Sequence, residues 1–473
     1  MNTLNRYTKA MSHTILLINP PIYDFAAYDL FNKPLGLLYL ASFLRRAGFK
    51  VRLIDTLDRL HPALQKLPAP AHLKADGTGK YHCEIIEKPS CLKDVPRNYR
   101  RYGMPVDILS ELLNREYQEH KPIAVLVSSM MTYWYPAVAD TIKLLRQTIP
   151  DTTIALGGVY ARLFPEHAQR VCQPDKLFTG NRFMPVLRWL DNLAGRKYDY
   201  GTITDEFTAW PPPAYELYPR LSYLTLITSV GCPFHCDYCA GPLLQPKLSQ
   251  LAPELFVDQM TSLLPMLDKN NESYHIAFMD DALLARSQDH IIPILDQVKK
   301  LNLPLRFYCP NGLHCRFISE KVAWLIYANN FKMVRLSYES SDTAPYWQRA
   351  GNDKVSDRVF HDAVANLLSA GYRPHQLEAY ILTGLPGQTM AEIEQSAHTV
   401  HDMGLKIRLC QYTPIPGTKL FETSFDKFGI DPGEPLLHNN SILPTLDRHI
   451  GYETFQRFKD HIKELNQSLP RNT

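Results

Sequence analysis

Residues Ile227–Leu243 read ITSVGCPFHCDYCAGPL, and the three cysteines within them, Cys232, Cys236 and Cys239, decide how the chain is read. Their C-x3-C-x2-C spacing puts three thiolates on one short loop, with the aromatic Tyr238 directly before the last. Thiolate is the preferred protein ligand of iron–sulfur clusters, so the loop suits three irons of a [4Fe–4S] cube. The fourth iron is then left to a small chelating molecule, which can take an electron there and be split into a radical. A zinc site would want a fourth ligand nearby, and His235 is adjacent to Cys236, where simultaneous ligation is strained. Three cysteines buried together by chance is the remaining reading.

Nine cysteines in 473 residues do not make a disulfide scaffold. An oxygen-labile cluster needs a reducing compartment, which points to the cytoplasm. A formal net charge of +3 gives no argument for a nucleic-acid partner. The opening MNTLNRYTKAMSHT lacks the apolar core of a signal peptide, and no apolar run of about 18 residues follows, so no membrane span is expected.

The chain opens β–α–β. TILLINPP, Thr14–Pro21, is an apolar run stopped by two prolines, and VRLIDT, Val51–Thr56, is a second strand. Between them GLLYLASFLRRAG, Gly36–Gly48, shows helical spacing and ends on arginines and glycine. Further strands at Ile123–Met131, Thr152–Gly158 and Leu177–Gly180 complete a doubly wound, Rossmann-like α/β domain over residues 12–205, interrupted by an irregular insertion at about 61–104. A proline-rich linker covers 206–221. From 222 to 427 six strands alternate with helical patterns, and 428–473 form a small C-terminal extension.

The cysteine loop and its flanks resemble the signature of the radical S-adenosylmethionine (SAM) superfamily. The resemblance implies a partial (βα)6 TIM-type barrel in which SAM chelates the open iron and Tyr238 packs near its adenine. Asp280 and Asp281 in FMDDALL end the second barrel strand, where the family contacts the SAM ammonium, and Asp280 is expected to face inward. Ser337 and Glu339 in LSYESSD share a strand face and would meet ribose hydroxyls, unless Glu339 pairs with Arg335. Gly384 and Gly387 in ILTGLPGQT leave backbone room for the ligand. The family's usual Glu after the second glycine is Gln388 here, and PIPGTKLFE, Pro414–Glu422, resembles its closing segment. Cys309 in FYCPNGLHC is a weak candidate radical or proton donor, with a small buried hydrophobe as the alternative.

The first domain resembles the cobalamin-binding domain fused ahead of many such barrels. The matching pieces are INPP, the Pro34–Phe49 helix, Ser128 and Ser129 in SSM, and Gly157 and Gly158 in LGG, which would receive the cofactor's tail. The D-x-H-x-x-G motif that supplies a cobalt-ligating histidine elsewhere is absent, so cobalt is expected without a histidine on its lower face. Together the resemblances imply an enzyme with a [4Fe–4S] cluster, SAM and cobalamin. It would methylate an unactivated carbon through a 5′-deoxyadenosyl radical and methylcobalamin, acting on a small molecule or peptide. An electron donor such as flavodoxin or ferredoxin would serve it. The competing readings are a cobalamin-dependent cyclisation, ring contraction or rearrangement, and a non-catalytic sensor. The arginines Arg97, Arg100 and Arg101 are either an anion attractor or a solvated surface.

Overall fold

The computed structural model describes residues 13–67, 73–196, 198, 200–268, 272–342, 355–424, 429–442 and 450–470. Parts of the C-terminal extension, at 428, 443–449 and 471–473, therefore lie outside the described residues. Those within Met1–Tyr23, Pro34–Pro70 and Arg101–Pro219 form one compact unit, and those within Asp24–Lys33, Ala71–Arg100 and Arg220–Thr473 a second. The units do not follow a single cut in the chain. Among the described residues no helix is long and apolar enough to cross a membrane.

The first unit is built on five parallel strands: β1 (Thr14–Asn19), β2 (Lys50–Asp55), β3 (Ala124–Val127), β4 (Thr153–Leu156) and β5 (Lys176–Leu177). Their order is β2-β1-β3-β4-β5, a doubly wound arrangement that reverses between β1 and β3. Both faces of the central strands β1, β3 and β4 are covered, which is why these three read as nearly unbroken apolar runs, whereas β2 and β5 carry exposed lysines. Leu16, Ile18, Val125, Val127, Ile154 and Leu156 pack on one face against the helices Val106–His120 and Tyr135–Thr148. Ile15, Leu17, Ala124, Leu126 and Ala155 pack on the other against Leu35–Arg46 and Met184–Leu193.

The second unit carries six parallel strands in sequence order: β6 (Leu224–Leu226), β7 (Tyr274–Phe278), β8 (Leu305–Tyr308), β9 (Phe331–Glu339), β10 (Leu377–Thr383) and β11 (Lys406–Gln411). An open sheet of βα units in this order is the partial barrel expected from the sequence. The inserted stretch is not wholly irregular, since it holds the short strands Cys83–Ile85 and Arg100–Tyr102. Within this unit Tyr223 donates to Asp29 Oδ1 at 2.6 Å and Thr225 to the Phe31 carbonyl at 2.7 Å, so residues 24–33 seal the start of β6. The C-terminal helix Tyr452–Ser468 closes the edge of β11: Asn466 Oδ1 accepts from Ile407 N at 2.8 Å and its Nδ2 donates to Ile407 O at 3.0 Å. An uncovered edge strand would present such groups to other chains.

Candidate active site

Asp280, just past the end of β7, governs the entrance to the cysteine loop. It is 3% exposed, and its Oδ1 accepts from Thr228 N and Oγ1 at 2.9 and 2.7 Å and from Ser229 N and Oγ at 2.6 Å each. Burial raises its pKa to about 6 against the pull of those donors. His290 Nε2 lies 2.8 Å from Thr228 Oγ1 and extends the network. Asp280 is therefore committed to the backbone beneath the loop, which corrects the expectation that it faces a ligand. Its neighbour Asp281 lines the cavity instead.

That cavity, of about 380 Å³, lies at the C-terminal ends of the barrel strands. Cys232, Phe234 and Tyr238 come to it from the cysteine loop, Asn311, Gly312 and His314 from beyond β8, Ser337 and Glu339 from β9, and Tyr380, Leu382 and Cys410 from β10 and β11. Gly312 is a steric requirement: φ is +85°, and a Cβ would stand 2.9 Å from Ser337 Oγ and 3.2 Å from the Tyr380 ring.

Tyr238 donates to Glu339 Oε2 at 2.6 Å. Burial first, and the Glu339 carboxylate next, keep this phenol protonated well above its ordinary range. Glu339 sits at φ +72°, after an irregularity that shifts the β9 register between Ser337 and Glu339. Simple alternation thus fails at this strand end, yet both residues reach the cavity. Arg335 takes Glu378 as its partner at 2.8 Å and donates to Tyr380 Oη at 2.7 Å. The loop is held elsewhere too. Leu420 N donates to Asp237 O at 2.8 Å, Lys419 Nζ stands 3.0 Å from Asp237 Oδ2, and the Phe234 ring stacks on His314 at 4.4 Å. The segment singled out for its closing motif is thereby fastened to the loop.

Gly384 and Gly387 both adopt positive φ, at +82° and +77°, but neither is among the residues lining the cavity. Gln388 closes their turn, accepting from Leu385 N at 3.3 Å and donating to Leu382 O at 3.0 Å. An amide can do both and an ionised glutamate cannot donate. Cys309 is 2% exposed, does not line the cavity, and has its thiol pushed well up by burial. The candidate donor is thus a core side chain. The exposed cysteine at the cavity is Cys410, which the sequence reading missed; its place near the end of the last barrel strand was the available signal.

Cys232, Cys236 and Cys239 form no disulfide, and two are half-buried and one exposed. Among the described residues no three histidine, cysteine or acidic side chains already converge as a ligand set. The chemistry of the donors, three thiols on one loop beside a cavity, is what fits a cluster.

In the first unit Ser128 lies at the C-terminal end of β3, where the strand order reverses, with Met130 and Met131 each 42% exposed beyond it. Open sheets of this kind take their ligands at that point, and the exposed edge suits a large flat cofactor. Ser129 is otherwise engaged: it is 3% exposed, its Oγ donates to Gly157 O at 2.7 Å, and its carbonyl accepts from Val159 N at 2.8 Å. Gly158 has φ +98°, and a Cβ there would lie 2.2 Å from Ser129 O. Its smallness has a cause within the chain, independent of any cofactor. Arg101 is 3% exposed and bonds to Met104 O, while Arg97 lies over the Phe25 ring. A larger cavity in this unit, about 750 Å³ between β2 and the Val106–His120 helix, contains none of the site residues named from the sequence.

No protein-family model matches the chain. It is 21% identical to a cytidylyl-2-hydroxyethylphosphonate methyltransferase of Streptomyces wedmorensis, across 89% of this chain and 83% of that one. It is 22% identical to an uncharacterised methyltransferase of Pyrococcus horikoshii, across 68% and 73%. Among solved structures it resembles TsrM from Kitasatospora setae, a radical SAM methyltransferase solved with tryptophan and a SAM analogue. That match has a TM-score of 0.62 at 16% identity over 88% of this chain and 76% of TsrM. TsrM with cobalamin and a [4Fe–4S] cluster bound gives 0.61 at 14% identity, over 88% and 75%. The chain has the fold of TsrM, a Rossmann-like domain followed by a partial barrel whose first strand leads into the three-cysteine loop.

Proposed function

We propose that the chain is a cobalamin-dependent radical SAM enzyme that methylates an unactivated carbon of a small molecule or peptide. The observation that carries this reading is the meeting of Cys232 and Tyr238 from the cysteine loop, Asp281 from beyond β7, and Ser337 and Glu339 from β9 around one cavity of about 380 Å³. That volume lies within the ordinary range for a small-ligand site. When bound, the cluster supplies an electron to SAM and cobalamin carries the methyl group.

The chain's own residues would act around these groups. Cys232, Cys236 and Cys239 would hold the cluster, and Asp281 would accept from the SAM ammonium, a pairing stronger than a neutral hydrogen bond. Ser337 and Glu339 would meet the ribose, while Phe234, Leu283 and Leu382 would exclude water from the reacting atoms. Ser128, Gly157 and Gly158 stand at the strand ends that would receive cobalamin. Both curated relatives are named as methyltransferases, which favours methylation over cyclisation or rearrangement. One relative is named for a cytidylylated phosphonate and another was solved with tryptophan. Such unlike molecules supply no common substrate to carry over. A small reduced flavodoxin or ferredoxin would deliver the electron, in a reducing compartment such as the cytoplasm.

The test uses anaerobic protein loaded with cluster and cobalamin, SAM deuterated at its methyl group, and a strong reductant. Mass spectrometry should find both 5′-deoxyadenosine and S-adenosylhomocysteine above the level of a Cys236→Ala control. Deoxyadenosine alone, in the presence of a substrate that is consumed, would favour rearrangement. Neither product would reject the reading.

A further inference from the structure

We propose that Tyr238 and Glu339 form a latch tying the cysteine loop to the end of β9, which makes Tyr238 a positioning residue for SAM acting through Glu339. The inference rests on the radical SAM reading above and adds a coupling between the two sides of the cavity. Tyr238 lies between Cys236 and Cys239, and its hydroxyl spans to Glu339 Oε2 at 2.6 Å. Its ring is already fixed without that bond, packed on a buried apolar cluster that includes Leu382, Leu385, Leu420 and Phe421. The hydroxyl is therefore not needed to place the ring. What it does is tie the cavity-lining carboxylate of Glu339 to the loop that carries the three thiols.

Glu339 shows a second sign of being held for a purpose. It takes φ +72°, a left-handed backbone that is uncommon for a residue other than glycine, asparagine or aspartate. Strain of this kind persists where the surroundings over-determine it, and it gathers at ligand clamps. On the other side of Tyr238, Asp237 is fastened through Lys419 and the Leu420 amide. The loop is thus pinned at adjacent residues by two different elements. A ligand that moves Glu339 must move the cysteine loop, and by reciprocity a loop shaped by its cluster must change affinity for that ligand.

The experiment compares the 473-residue wild type, Tyr238→Phe, Glu339→Gln and Glu339→Ala, each reconstituted anaerobically, with SAM as the probe. Three quantities are measured: bound iron, SAM affinity by equilibrium dialysis, and the EPR spectrum of the reduced cluster with and without SAM. Tyr238→Phe keeps the ring, so iron should stay at the wild-type level, SAM should bind about ten-fold more weakly, and the SAM-induced EPR change should shrink. Glu339→Gln still offers an oxygen to the Tyr238 hydroxyl and should retain more of the EPR change than Glu339→Ala. The latch is overturned if Tyr238→Phe matches wild type in affinity and EPR response. It is equally overturned if that variant loses its iron, or if Glu339→Gln and Glu339→Ala behave alike. A wild-type protein whose cluster signal ignores SAM would instead overturn the underlying reading, and the latch with it.

Discussion

Asp280 sits under five hydrogen bonds from Thr228 and Ser229 with a pKa near 6, well above the value of about 3.9 for an aspartate in an unfolded chain. Desolvation outweighs the donors, so the folded state keeps this proton longer than the unfolded one. Its contribution to stability is complete below about pH 4 and is lost as pH rises through about 6, by at most about 3 kcal/mol. Asp280→Asn should therefore show a flatter decline in denaturant midpoint between those pH values than wild type. Chemical denaturation at several pH values checks this, and equal slopes would count against it. That an acidic pair ends β7 was plain from FMDDALL; which member faces the cavity was not. The answer depends on donors some fifty residues upstream, at Thr228 and Ser229, which no local pattern encodes.

The strands were the most legible elements, because burial on both faces leaves unbroken apolar runs such as Ile15–Ile18. Their ends were less so. Residues 152–158 read as one strand, yet pairing stops at Leu156 and Gly157–Gly158 turn against Ser129. Gly158→Ala should cost at least about 2 kcal/mol through backbone conformation and contact with the Ser129 carbonyl, read as a lowered denaturation midpoint with or without cobalamin. An unchanged midpoint would refute the packing role. At the far edge of the barrel, Asn466→Ala should cost about 1–2 kcal/mol by leaving Ile407 N and O without their side-chain partner. The irregular end of β9 was invisible because period-2 reasoning assumes a regular strand.

At the scale of the whole chain, two successive domains were legible and the routing was not. Segments 24–33 and 71–100 group with the barrel, not with the strands that flank them in sequence. Phe31 is fully buried in a cluster with Tyr223, Ala277 and Tyr308, an association set by tertiary packing alone. A fragment comprising residues 220–473 should therefore be poorly soluble and melt without cooperativity, since it lacks Phe31 and the Asp29 partner of Tyr223. A cooperative transition like that of the intact chain would contradict this.

The radical SAM reading depends on the cysteine loop, and iron and sulfide analysis addresses that loop without needing a substrate. Anaerobically reconstituted wild type should hold about four irons and four sulfides per chain. Replacing Cys232, Cys236 and Cys239 together with alanine should bring both to background while the circular dichroism spectrum stays that of the folded chain. Iron and sulfide retained by the triple variant at the wild-type level, or absent from the wild type itself, would contradict it.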